Sequence, residues 1–204
     1  MNSTTLYYIH DPMCSWCWGF NHTWNQVKDQ IKDQLKIQYV LGGLAPDSNE
    51  IMPEEMRSYI QKNWQKIEQT IPGTKFNYDF WKNCTPKRST YPACRAVIAA
   101  KNQGKKFEIP IISSIQTAYY LQAQNPSESS TLIKLATSIG LDSQQFTRDL
   151  NSPTTQEKLD SDINLSKSLS VNGFPSLVLE RNGVKKLIKI DYNNSDFILK
   201  QILT

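Results

Sequence analysis

The feature that most constrains the fold is a pair of cysteines, Cys14 and Cys17, placed where a predicted strand passes into a predicted helix. Residues 6–9 form a short apolar run that is typical of a buried strand. From Cys14 onward, apolar residues recur every three or four positions, which predicts a helix over about residues 14–34. A thiol at a helix N-terminus lies near unpaired backbone N–H groups and the positive end of the helix dipole, and both stabilise its thiolate. This position indicates a reactive cysteine pair.

The two cysteines are expected to have different roles because they lie at different depths along the helix. Cys14 is expected at the exposed end, where its thiolate can attack a disulfide. Cys17 lies about one turn further in, a suitable position from which to attack a mixed disulfide that Cys14 has formed.

Length and cysteine content restrict the class of protein. A chain of 204 residues can bury a core that is stable without disulfides. Its four cysteines are too few for a small secreted scaffold held together by disulfides. Residues 1–5 lack the basic start and the long apolar run of a signal peptide. These observations predict a cytoplasmic location.

The charges argue against two classes of partner. The 23 basic and 19 acidic residues give a net charge of +4, and the lysines are spread along the chain. A nucleic-acid-binding face would cluster its positive charge, so nucleic acid is not an expected partner. No apolar run approaches the length of a membrane span, so a membrane is not expected either.

The order of the predicted elements is strand, helix, strand, helical block, strand hairpin and helix. The second strand is predicted at residues 36–41 and the hairpin at residues 176–190, around a turn at residues 181–183. Helical spacing and breakers predict the remaining helices at residues 53–69, 91–102, 110–124, 129–139, 143–150, 154–170 and 195–203.

Three segments, residues 11–20, 91–96 and 171–176, together resemble the DsbA-like branch of the thioredoxin superfamily. They are most similar to the cytoplasmic predicted disulfide isomerases related to FrnE. They are more distantly similar to hydroxychromene carboxylate isomerases and kappa-class glutathione transferases. The resemblance implies an α/β protein, a thioredoxin fold with an all-helical domain inserted after the second strand. Residues 1–45 and 160–204 would form the thioredoxin-like domain, and residues 46–159 the helical insertion.

Further site residues follow from this resemblance and, for Trp16, from its position between the two cysteines. Pro175 corresponds to the family's cis-proline, which packs beside the cysteine pair. The backbone of Phe174 would then be free to pair with an extended substrate. Trp16, which lies between the cysteines, is expected to be partly exposed and to contact the substrate.

The segment around the cysteines departs from the best-known patterns of the superfamily. The dipeptide between them is Ser15-Trp16, where periplasmic DsbA has Pro-His and thioredoxin has Gly-Pro. Trp16 carries no charge that could stabilise a thiolate, and Asp11 just upstream would oppose ionisation of Cys14. We therefore expect a less acidic Cys14 than in DsbA, and a less oxidising protein.

Cys84 and Cys94 lie within the predicted helical block and have two interpretations. Free cysteines are often small buried hydrophobic residues. Alternatively, the two form a second redox pair or supply a resolving partner for Cys14, because the insertion of this fold lies over the active site. Cys94 begins a helix just after Pro92 and so shares the electrostatic advantage expected for Cys14.

The favoured function is a protein disulfide oxidoreductase or isomerase that acts on protein or small-molecule thiols and disulfides. It would need no cofactor beyond its own redox-active disulfide, with glutathione as a candidate co-substrate. The alternative is a glutathione-dependent transferase or isomerase of the neighbouring branch. There the first active position is typically serine, so two intact cysteines argue against it. The sequence leaves the physiological substrate, the direction of electron flow and the oligomeric state open.

A structural zinc site is the remaining alternative. Its ligands would be Cys14, Cys17 and two of Cys84, Cys94, His10 and His22. Zinc-binding cysteines usually come as two closely spaced pairs, and the gap between Cys84 and Cys94 does not fit one. No metal is therefore expected, and the two histidines are expected at the surface.

Overall fold

A central sheet positions the cysteine pair. The structure is a computed structural model that describes residues 4–204. The strands of the sheet are β1 (Thr5–His10), β2 (Lys36–Leu41), β3 (Ser176–Arg181) and β4 (Val184–Ile188). They lie in the order β2-β1-β3-β4, with β1 parallel to β2 and antiparallel to β3, and with β4 antiparallel to β3.

The helices follow the predicted order. Helix α1 (Ser15–Ile31) connects β1 to β2, and α9 (Ser195–Leu203) follows β4. Between β2 and β3 lie α2 (Glu54–Thr70), α3 (Phe80–Asn83), α4 (Tyr91–Asn102), α5 (Glu108–Tyr120), α6 (Ser129–Ser138), α7 (Ser143–Leu150) and α8 (Pro153–Ser168). No helix within residues 4–204 is both long enough and apolar enough to cross a membrane.

Several element boundaries differ from the sequence prediction by two to four residues, and two of the differences have a clear physical reason. Helix α3 was not predicted, because its four residues are too few to show helical spacing. Strand β4 begins two residues earlier than expected, since the hairpin turn contains only Asn182 and Gly183. Both of these residues have positive φ, at 54° and 79°, as a two-residue turn between twisted strands requires.

Each face of the sheet is covered by an apolar layer. Successive residues of a strand point to opposite faces, so Leu6 and Tyr8 of β1 share one side. There they pack with Phe20 of α1 and Ile198 of α9. The cluster on the other face consists of Ile9, Val40, Leu169 and Val178.

The helical segment between β2 and β3 has its own core around Trp64, whose ring stacks on Phe76 with centroids 4.7 Å apart. Met13, which directly precedes the cysteine pair, and Leu41 of β2 belong to the same apolar cluster. The helical segment therefore packs directly against the cysteine pair and the end of the sheet.

Helix α8 lies where the two predicted domains meet. The predicted boundary at residue 160 falls inside this helix, and both Leu159 and Ile163 join the core around Trp64. The predicted division into two domains, one of residues 1–45 together with 160–204 and the other of residues 46–159, stays a prediction.

Candidate active site

Cys14 forms the N-cap of α1. It ends a turn, here called the cysteine turn (residues 11–14), that is closed by a hydrogen bond from the Cys14 N–H to the Asp11 carbonyl at 3.0 Å. The Cys14 thiol donates a hydrogen bond to the Phe174 carbonyl at 3.5 Å. Only 6 % of Cys14 is exposed, so the expectation of an exposed thiol is wrong: Phe174 and the surrounding loops cover it. Cys14 nevertheless lines a cavity.

The two thiols differ in acidity. The Cys17 thiol, which donates to a Cys14 thiolate, and the N–H groups of Cys17 and Trp16 lower the pKa of Cys14. Burial and the Asp11 charge oppose this lowering. Cys17 is fully buried, and its burial next to the Cys14 sulfur raises its pKa well above the ordinary value. Cys14 is therefore the more easily ionised thiol of the pair.

Asp11 connects the cysteine turn to the helical segment. Its carboxylate is fully buried and accepts hydrogen bonds from the N–H groups of Met13 and Leu44, both at 2.7 Å. It also accepts from the Thr90 hydroxyl at 2.7 Å and from the Cys94 thiol at 3.4 Å. Burial raises the pKa of Asp11, and these donors oppose the rise. The sequence indicated the charge of Asp11, but its partners on a distant helix gave no local signal.

Phe174 and Pro175 lie beside the cysteine pair. The peptide bond between them is cis. The half-buried Phe174 ring packs directly on the backbone of Gly42, where a Cβ atom would overlap it. Gly42 in turn donates its N–H to the His10 carbonyl at 2.7 Å. The close approach at Gly42 places the Phe174 carbonyl against the Cys14 thiol.

A cavity of about 570 Å³ opens beside Cys14, between the cysteine turn, the loop after β2 and helices α2, α4 and α8. Trp16 and Phe174, the two predicted substrate contacts, both line it. Trp16 is half-buried, as predicted, with its ring 5.2 Å from that of Tyr192. The volume lies within the range of small-molecule binding sites.

Cys84 and Cys94 have different surroundings, and all four cysteines are free. Cys84 follows α3 and donates a hydrogen bond to the Ala123 carbonyl at 3.1 Å. Cys94 is fully buried and donates to Asp11. Burial raises the pKa of both thiols, and for Cys94 the Asp11 charge adds to the effect. The expected electrostatic advantage of Cys94 at a helix start is thus outweighed, while the second redox pair stays a prediction.

His10 is not the surface residue that was expected. It is buried at the end of β1, stacked on Tyr8 with ring centroids 5.1 Å apart, and burial lowers its pKa to about 3. Within residues 4–204, no group of three or more His, Cys, Asp or Glu side chains is placed to hold a metal ion.

Comparison with known proteins gives consistent matches. A family model described as thioredoxin matches residues 7–200. The ClpXP adapter protein SpxH of Halalkalibacterium halodurans is 26 % identical over 203 residues, covering 97 % of this chain and 66 % of that protein. The chain thus spans slightly less than two thirds of the length of this curated relative.

Solved structures show the same fold. A candidate protein disulfide isomerase from Nitrosomonas europaea matches with a TM-score of 0.85 and 28 % identity, covering 98 % of this chain and 96 % of that one. The cytosolic disulfide reductase DsbM from Pseudomonas aeruginosa, solved also with GSH, matches with a TM-score of 0.73 and 23 % identity over 91 % of this chain and 89 % of that one. The predicted fold class, a thioredoxin fold of the DsbA-like type, is confirmed.

Proposed function

The chain belongs to the thioredoxin family, and on that premise we propose that it is a thiol-disulfide oxidoreductase in which Cys14 attacks and Cys17 resolves. One observation carries the proposal: Cys14 caps helix α1 and borders the cavity, whereas Cys17 is fully buried in the first turn of the same helix. The pKa of Cys14 is lowered and that of Cys17 is raised, in agreement with these positions. Cys14 then supplies the thiolate, and Cys17 keeps its proton until a mixed disulfide has formed.

The proposed reaction reduces a substrate disulfide by two electrons. The Cys14 thiolate forms an S–S bond with one substrate sulfur, and the substrate S–S bond breaks to release the other sulfur as a thiolate. Cys17 then loses its proton, forms an S–S bond with the Cys14 Sγ and releases the second substrate thiolate. The two released thiolates take up the two protons lost by the cysteines, which are left as a disulfide. A thiol co-substrate, for which we propose glutathione, restores the dithiol by the reverse exchange.

Three neighbouring residues would position the Cys14 sulfur and the substrate. The Phe174 carbonyl accepts the hydrogen bond of the protonated Cys14 thiol and so sets the position of the sulfur before the proton is lost. Pro175 offers no N–H that could compete for the Cys14 sulfur. Trp16 provides an aromatic wall of the cavity on which a substrate can pack. Substrates would be protein or small-molecule disulfides.

We propose the reducing direction and a cytoplasmic location. The buried Asp11 charge raises the pKa of Cys14 and so makes its thiolate less stable. A less stable thiolate means a less stable reduced form, and therefore a stronger reductant than a protein without this charge. A reductant of this kind can act in a cytosol where glutathione keeps thiols reduced.

Reduction of insulin by dithiothreitol, followed by turbidity, tests this function. The protein should accelerate the reaction, Cys14→Ser should abolish the acceleration, and Cys17→Ala should accumulate a mixed disulfide on Cys14. Cys84→Ala is the matched control, since it removes a thiol outside the proposed site. Full acceleration by Cys14→Ser would contradict the proposal. Glutathione transfer to an electrophile without any disulfide exchange would favour the transferase alternative.

The curated relative named as a ClpXP adapter supports a second candidate, an adapter function in proteolysis. Such a role would need binding surfaces but no redox chemistry. The half-lives of cellular proteins degraded by ClpXP, compared with and without the chain, would test it. A variant with both Cys14→Ser and Cys17→Ala should still shorten those half-lives if the chain is an adapter, and should be inert if exchange is the function.

A further inference from the structure

The charged side chains that line the cavity beside Cys14 are all basic, and the Asp11 carboxylate lies outside this lining. The lining includes Lys87, Arg88 and Lys167, but no aspartate and no glutamate. Lys87 and Arg88 lie just before α4, whereas Lys167 lies near the end of α8. Positive charge therefore reaches the cavity from two separate elements, and a low-dielectric cleft lined by one sign of charge concentrates ligands of the opposite sign.

Arg88 is the cation best placed to bind a ligand. Lys87 is already bound to Glu128 in an ion pair of 3.0 Å, and Lys167 is exposed. Arg88 forms no salt bridge with any residue from 4 to 204. It is half-buried, which limits how far water screens its charge. A guanidinium group presents a planar set of donors that matches a carboxylate.

We propose that this cavity selects low-molecular-weight disulfides and thiols that carry a carboxylate, with Arg88 binding the carboxylate while Cys14 exchanges at the sulfur. The inference rests on the proposed oxidoreductase function and names the substrate class of the same site. The exchange is the two-electron reaction described above, with the carboxylate unchanged.

Three disulfides of similar size and different charge test the inference: dithiodipropionate, which is anionic, bis(hydroxyethyl) disulfide, which is neutral, and cystamine, which is cationic. For each disulfide, the rate constant for oxidation of the reduced protein is divided by the rate constant for the reaction of the same disulfide with mercaptoethanol, a neutral thiol. This division removes differences in the intrinsic reactivity of the three disulfides. The normalised rates should fall from anionic to neutral to cationic, with about tenfold or more between the extremes at low salt, and the range should narrow at high salt.

Variants connect the selectivity to Arg88. Arg88→Gln should reduce the anionic-to-cationic ratio at least about fivefold, and Arg88→Lys should retain most of it because the charge is kept. Arg148→Gln, which removes an exposed arginine of α7, is the control matched in net charge and should leave the ratio unchanged. Circular dichroism checks that each variant is folded. If Arg88→Gln does not fold, the anionic-to-cationic ratio of Lys167→Gln and the salt dependence of this ratio in the wild type decide instead.

The outcomes separate this inference from the proposed function. Equal normalised rates for the three disulfides, a preference for cystamine, or an unchanged ratio in folded Arg88→Gln would overturn the inference while leaving oxidoreductase activity in place. Failure to reduce insulin or any of the three disulfides would overturn the proposed function itself.

Discussion

The Cys94 thiol of helix α4 donates a hydrogen bond to the Asp11 carboxylate, which is 3.4 Å away. Asp11 lies only three residues before Cys14, the cysteine that we propose attacks the substrate. Thr90, at the start of the same helix, binds the same carboxylate oxygen at 2.7 Å. The helical segment therefore does more than cover the cysteine pair, because its side chains hold the charge that faces Cys14. This relationship gives Cys94 a role that needs no redox chemistry.

Asp11→Asn should make Cys14 more acidic and the protein more oxidising. The substitution removes a buried negative charge that raises the pKa of Cys14. Each unit by which that pKa falls corresponds to about 1.4 kcal/mol in favour of the thiolate. The pH dependence of iodoacetamide labelling should therefore shift to lower pH, and the equilibrium with glutathione should shift toward the reduced protein.

The exposed Asp33→Asn is the control for loss of one negative charge. Because Asn cannot accept every hydrogen bond that Asp11 accepts, Asp11→Asn should also lower the free energy of unfolding by about 1–3 kcal/mol. An unchanged or higher labelling pKa in the folded variant would show that Asp11 does not control Cys14.

His10 should make the protein less stable in mild acid. Its pKa is lowered to about 3 in the folded state because it is buried. The unfolded chain takes up a proton near the ordinary histidine pKa of about 6.5, so stability falls as the pH drops below that value. Between pH 7 and pH 5 this contribution amounts to about 2 kcal/mol.

His10→Phe keeps an aromatic ring but removes the titration. Its loss of stability between pH 7 and pH 5, measured by urea unfolding, should be smaller than that of the wild type by about 2 kcal/mol. His22→Phe, at an exposed position, should show the full loss. An equal loss in His10→Phe and the wild type would mean that His10 is not a buried neutral group.

Gly42→Ala should slow exchange because it displaces Phe174. A Cβ atom at residue 42 would overlap the Phe174 ring, and the Phe174 carbonyl accepts the hydrogen bond of the Cys14 thiol. Overpacking of this kind costs about 1–3 kcal/mol of stability. Gly173→Ala lies in the same loop as Phe174, meets no atom within 4 Å, and is the matched control. Normal insulin reduction by Gly42→Ala would contradict this role of Phe174.

Cys14 should be alkylated first among the cysteines of the reduced protein, and the fully buried Cys17 and Cys94 much later. Cys14 has the lowered pKa and borders the cavity, whereas Cys94 is fully buried with a raised pKa. Iodoacetamide labelling at neutral pH, followed by peptide mapping over time, gives the order. Faster labelling of Cys94 or Cys84 would place the reactive thiol in the helical segment.

Local patterns in the sequence predicted most of the fold. Alternation and helical spacing are local, so they identified each strand and every α-helix except α3 within residues 4–204. Residues 11–20 likewise predicted that Cys14 would begin a helix, which it caps. The burial of His10 and of the Asp11 carboxylate could not be predicted, because each depends on side chains far away in the sequence. The same holds for Gly42, whose tight contact with Phe174 forms only when β2 and the loop before β3 come together.

The reduction potential of the Cys14–Cys17 pair tests the central claim most directly. The protein is equilibrated with glutathione buffers of varied ratio, quenched by alkylation and analysed by intact and peptide mass. The account predicts a single two-electron transition confined to Cys14 and Cys17, at a potential closer to about −270 mV than to about −120 mV. Absence of a disulfide between these two cysteines at every ratio, or a transition confined to Cys84 and Cys94, would contradict it.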